Sequence, residues 1–103
     1  LNNGYSAIDN TYSPYTSVAG HQIFANTATN IITVKLPASP SIGDEVTIID
    51  SRNNFTSNAV TVDRNGQPIN NVAGDATLGT NGQAATFVYI DGTCGWNYKT
   101  NTA

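Results

Sequence analysis

Apolar residues in this chain recur at every second position in short runs, and nowhere do they keep the 3.6-residue spacing of a helix face. Ile31–Leu36 sets Ile32, Val34 and Leu36 against Thr33 and Lys35. Val46–Asp50 sets Val46 and Ile48 against Thr47 and Ile49, and Ala59–Arg64 sets Val60 and Val62 against Thr61 and Asp63. In Ala84–Ile90 both faces are largely apolar, with Ala85, Phe87 and Tyr89 opposed to Thr86, Val88 and Ile90. That is the pattern of a central strand, or of one whose outer face meets a partner. Fainter strand patterns occupy Tyr15–Ala19, Gln22–Ala25, Asp75–Leu78 and Trp96–Lys99. Helix-favouring Leu, Glu, Lys, Met and Arg are together scarce.

Turn chemistry separates these runs. Pro37 and Pro40 cannot donate to a ladder and stop one strand. Ile42-Gly43-Asp44 leads into the next. Asn65-Gly66 and Asn81-Gly82 are tight-turn signals, because Asn and Gly tolerate positive φ. Short strands at regular spacing predict an all-β fold: a small antiparallel β-sandwich or barrel-like domain over residues 15–99. Its expected core is Ile32, Val34, Leu36, Val46, Ile48, Val60, Val62, Phe87 and Tyr89, with Thr33, Lys35, Thr47 and Thr61 nearer solvent or a partner. Residues 1–14 are rich in Asn, Ser, Tyr and Gly and lack alternation, so they read as an extended N-terminal arm, a mobile linker or a segment that a neighbour orders. Residues 100–103 have no packing groups and read as a flexible tail.

Charge is sparse. Four basic and seven acidic residues make up 11% of the 103 positions, net -3, while Asn and Thr number 14 each. An ordinary domain has about 25% charged residues. Four scattered cations cannot track a phosphate backbone, which argues against nucleic acid as a partner. Apolar runs of a few residues argue against a membrane span. One cysteine excludes an internal disulfide framework, and no signal-peptide pattern is present. The lack of Met, at position 1 as elsewhere, fits a processed chain or an excised part of a longer one. A polar, uncharged surface fits an extracellular or virion-surface setting.

Reactive groups are few. His21, the only histidine, follows Ala19-Gly20 and reads as a partly exposed loop imidazole. No serine has the glycine elbow that exposes a nucleophile. Cys94 has no sequence neighbour that would lower a thiol pKa. Asp63, Asp44 and Asp91 sit where turn-capping carboxylates belong, and adjacent Asp44 and Glu45 would diverge on a strand. The pattern assigns no catalytic residue, no cofactor and no metal site; calcium bridging a subunit contact is the one metal alternative it leaves open. Asn54-Phe55-Thr56 is a formal glycosylation sequon. Tyr5, Tyr12, Tyr15 and Trp96 could form an exposed sugar-stacking platform. The alternative places Phe24, Phe87, Tyr89 and Trp96 in the core or an interface.

Three stretches carry a resemblance: Leu36-Pro37-Ala38-Ser39-Pro40-Ser41-Ile42-Gly43-Asp44; Asn58 to Ile69, with its turn at Asn65-Gly66; and Gly95-Trp96. In this order and spacing, Tyr15–Tyr98 resembles a small β-module of tailed-bacteriophage virion structural proteins, found in head decoration or cement proteins and in tail-fibre or appendage proteins, many from marine and cyanobacterial phages. The resemblance implies a non-enzymatic virion-surface protein that assembles as a homotrimer and contacts the major capsid protein or tail proteins. It implies head decoration first, and a fibre or appendage module binding a host-surface receptor or glycan as the alternative. The expected partner contacts are Leu1, Tyr5, Ile8 and Tyr12 of the arm, which lies outside the resemblance, and Tyr15 directly after it.

Overall fold

The computed structural model describes residues 4–102. It contains nine strands: β1 (Tyr5–Asp9), β2 (Tyr15–Thr16), β3 (Gln22–Asn26), β4 (Ile32–Lys35), β5 (Glu45–Asp50), β6 (Val60–Asp63), β7 (Ala76–Leu78), β8 (Ala84–Asp91) and β9 (Gly95–Thr102). One 3₁₀ turn, Asn10–Tyr12, comes directly after β1. The strands form two sheets, one ordered β1-β3-β5-β8-β9 and the other β2-β4-β6-β7. The protein is a small two-sheet, all-β domain.

Its pairing departs from the antiparallel expectation. β1, β3 and β5 run parallel, as do β2, β4 and β6; only β5–β8, β8–β9 and β6–β7 are antiparallel. The cause lies in the route of the chain. Up to β6, each strand is succeeded by one in the opposite sheet, so neighbours within a sheet are two strands apart and point the same way. The intervening strand serves as the crossover that parallel neighbours require. Neither sheet closes on itself, so the barrel alternative is not realised.

Alternation decides which side chains face the other sheet. Ile32, Val34, Val60, Val62 and Leu78 of the smaller sheet meet Ile23, Val46, Ile48, Ala85 and Phe87 of the larger, and all are fully buried. Leu36 and Tyr89 complete the expected core, while Thr33, Lys35, Thr47 and Thr61 are half-buried on the outer faces. Trp96 is fully buried edge-on to Tyr89, with ring centroids 5.4 Å apart.

Two segments expected outside the domain belong to it. Tyr5–Asp9 of the predicted arm forms edge strand β1, in register with Gln22–Asn26. Its inward Ile8 is 4% exposed and joins the core. Backbone pairing to β3 and one well-placed isoleucine suffice where sequence alternation is lacking. At the other end, Thr100–Thr102 continue β9 against Ala84–Thr86. That tail has no apolar groups, but β8 offers it a ladder, and the Thr102 hydroxyl donates to the Ala84 carbonyl at 3.1 Å. Leu1 and Ala103 lie outside the described residues.

Candidate functional site

The parallel strands of the larger sheet end together, and a groove forms where the chain leaves their C-terminal ends. Asp9 closes β1, Asn26 closes β3, and Ser51 and Arg52 come directly after β5. With Tyr12 and Phe24 they line a depression of about 430 Å³. Tyr12 is carried there by the 3₁₀ turn and is 57% exposed. Phe24 points outward from β3, and Tyr5 stacks on it with centroids 5.2 Å apart and planes at 24°.

Hydrogen-bonding capacity in this groove is partly unused. Asp9 accepts the Thr11 N–H and hydroxyl on Oδ1, and no partner engages Oδ2 among the described residues. Those bonds, the hydroxyl's first, hold the Asp9 carboxyl below the usual carboxylate range, so it is charged at neutral pH. Asn26 uses Oδ1 on the Ala28 N–H at 3.0 Å and leaves its amide donors unengaged. The Arg52 guanidinium makes no ion pair among the described residues, where the one salt bridge joins Lys99 to Glu45 at 2.8 Å.

A second groove, about 440 Å³, lies at the opposite end of β3 and β5 and contains His21, Asp44, Glu45 and Thr47. This neighbourhood was invisible in the sequence, where His21 is remote from both carboxylates. Both carboxylates and Thr47 have partners: Asp44 accepts the Ser41 N–H at 2.8 Å, Glu45 holds Lys99, and the Thr47 and Thr86 hydroxyls bond each other at 2.9 Å. His21 Nδ1 is buried with no partner among the described residues. The Thr47 hydroxyl of this groove is bonded to Thr86 and not to that imidazole.

The other candidate residues are dispersed over the domain. Tyr15 packs against the core and its hydroxyl donates to Ser6 Oγ at 2.8 Å. Ile8 faces inward, which removes it from the partner-contact set. Tyr5 and Tyr12 present surface. Trp96 is in the core, so it cannot serve as a sugar platform. Cys94 is half-buried; burial first, then the Asp91 carboxylate, push its thiol pKa upward, which leaves it protonated at neutral pH. The expected turn carboxylates take up their roles: Asp63 accepts the Asn65 N–H at 2.8 Å, and Asp91 accepts those of Thr93 and Cys94. Among the described residues, no three His, Cys, Asp or Glu converge on a common point where a metal could sit.

The sequon asparagine is half-buried and engaged within the fold. Asn54 donates its amide to the Thr27 carbonyl at 2.8 Å, and Phe55 beside it is fully buried. Phe55 and Asp50 organise this region, and sequence patterning alone did not single them out. Asp50 accepts four backbone N–H groups, from Arg52, Asn54, Phe55 and Gly82, at 2.8–3.2 Å. It ties the β5–β6 loop to the turn before β8. Burial raises its carboxyl pKa, and the four donors outweigh that, leaving it below the usual range. The sequence signal available was an Asp ending a strand just before a polar loop with one aromatic.

Comparison with protein-family models and with curated proteins finds no match for this chain.

Proposed function

We propose that this protein is a non-enzymatic structural component of a bacteriophage virion surface, a decoration or cement subunit held on the head by contacts between copies and with the underlying shell protein. One observation carries the reading: the first two strands, β1 and β2, both lie at the edges of their sheets, with no further strand paired to them among the described residues and little charge in the chain to blunt them. An open edge is a template for pairing with another chain unless charge, proline or a covering loop protects it. In this reading the two sheets act as a small sandwich that is completed by neighbours. A closed ring of three uses head-to-tail contacts, and the larger sheet offers two different edges for them. β1 is one. β9 is the other, covered at its start by the Ile69–Trp96 bridge.

Quantitative mass spectrometry of virions that carry the protein tests this assignment. Copy numbers comparable to those of the shell protein are expected. Absence from the particle overturns the reading. A handful of copies per particle replaces head decoration with the second reading, an appendage module that meets a host-surface glycan. The exposed Tyr12 beside the unengaged polar groups of the first groove favours that alternative.

A further inference from the structure

We infer that the groove at the C-terminal ends of β1, β3 and β5 is a binding site for a neutral pyranose unit of a glycan, with Tyr12 and Phe24 as its apolar walls and Asp9, Asn26 and Arg52 as its hydroxyl-binding groups. This rests on the appendage reading and gives it a location.

The chemistry of the lining selects the ligand class. A pyranose ring has faces of polarised C–H groups and a rim of hydroxyls that both donate and accept. Aromatic rings carry negative faces that attract such positively polarised hydrogens. Tyr12 brings a large surface with few rotors to freeze and a hydroxyl at its wet end. Phe24 is held from behind by the Tyr5 stack, so its ring is fixed before any ligand arrives. Pre-organisation of this kind lowers the ordering cost of binding.

The rim matches as well. Asp9 Oδ2 is an unused acceptor, the Asn26 amide an unused donor pair, and Arg52 a multiple donor with no ion-pair partner among the described residues. Asp9 and Arg52 bring one charge of each sign, so the groove as a whole carries no net charge. A hydroxyl, donor and acceptor at once, serves both groups, whereas for a carboxylated, sulfated or phosphorylated sugar the attraction of Arg52 is offset by repulsion from Asp9. Asp9, Phe24 and Asn26 sit on parallel strands whose register fixes their spacing, and Arg52 comes two residues after the third.

Saturation-transfer NMR on the full chain tests the site, with methyl α-D-mannopyranoside, methyl β-D-glucopyranoside, methyl β-D-galactopyranoside, N-acetylglucosamine and glucuronate as probes. At least one neutral probe is expected to bind in the millimolar range, with amide shifts at Asn26, Ser51 and Arg52. Tyr12→Ala and Arg52→Gln, both at exposed side chains, are expected to weaken it roughly tenfold, and Ile42→Ser, on an exposed turn distant in sequence, to leave it unchanged. Binding that maps elsewhere and survives both substitutions overturns this site while leaving the appendage reading intact. No transfer to any probe overturns the site, while the appendage reading is decided separately by the copy number on the particle. Tighter binding of glucuronate than of the glucoside overturns the neutral assignment.

Discussion

Single residues hold the loops of this protein more than its strands do. Asp50 is 8% exposed and serves as the common acceptor for two loops. Replacing it with Ala leaves four N–H groups without their partner, and the expected cost is about 3–5 kcal/mol, measured by urea denaturation. The same carboxylate gives a pH dependence. Its folded pKa lies below the ordinary 3.8, so its stabilisation is complete above the unfolded-state value and is lost as pH falls through the folded one. Asp50→Asn is expected to be less stable at pH 7 and to lose less further stability between about pH 5 and pH 2 than the parent; parallel curves would refute the assignment. Gly95 is the second such position. Its φ is +71°, and a Cβ there would fall inside the Pro68 carbonyl group, which already accepts the Trp96 N–H at 2.8 Å. Gly95→Ala should therefore cost about 3 kcal/mol or more, read from the thermal midpoint. The turn around Gly95 is legible in the sequence. The carbonyl is not, because Pro68 arrives from a remote segment.

At the scale of elements, the spacing of apolar residues made eight of the nine strands visible in the sequence. β1 was missed for a physical reason. Its inward positions, Ser6 and Ile8, mix polar with apolar, and its outward ones, Tyr5, Ala7 and Asp9, do the same. An edge strand with one core residue has no period to read. That strand nonetheless contributes to stability: Ile8→Ala is expected to cost about 2–5 kcal/mol, whereas Tyr12→Ala, in the 3₁₀ turn beyond it, should stay within about 0.5 kcal/mol. Equal, small effects in denaturant titrations would return residues 5–9 to the status of a loose arm. Phe87→Ala, at a fully buried position of β8, should cost about 3–5 kcal/mol. The groove was legible only in part. Tyr12 stood out as an exposed aromatic, but Asp9, Asn26 and Arg52 come together through parallel register, which no local pattern encodes.

For the whole molecule, composition and topology bear on different questions. Low charge and abundant Asn and Thr are read from composition, and the two sheet edges at β1 and β2 are read from topology; the proposed assembly joins the two. The parallel winding was not legible, because alternation reports which face a residue occupies and is silent on the direction of the neighbouring strand. Assembly through the β1 edge makes a specific demand on the backbone. Gly4 directs its carbonyl to the Gln22 N–H, and alternate residues of a parallel strand bond to the same side. Ala7 accordingly turns its N–H to the open edge, and Ala7→Pro removes a donor from the assembly surface without breaking the β1–β3 ladder. Sedimentation velocity of the full chain, compared with this variant, is the most direct measurement. The parent is predicted to sediment as a species three times its 10.8 kDa mass, and Ala7→Pro as a monomer with an unchanged far-ultraviolet circular dichroism spectrum. A parent that stays monomeric at high concentration, or a proline variant that trimerises equally well, would contradict edge-mediated assembly.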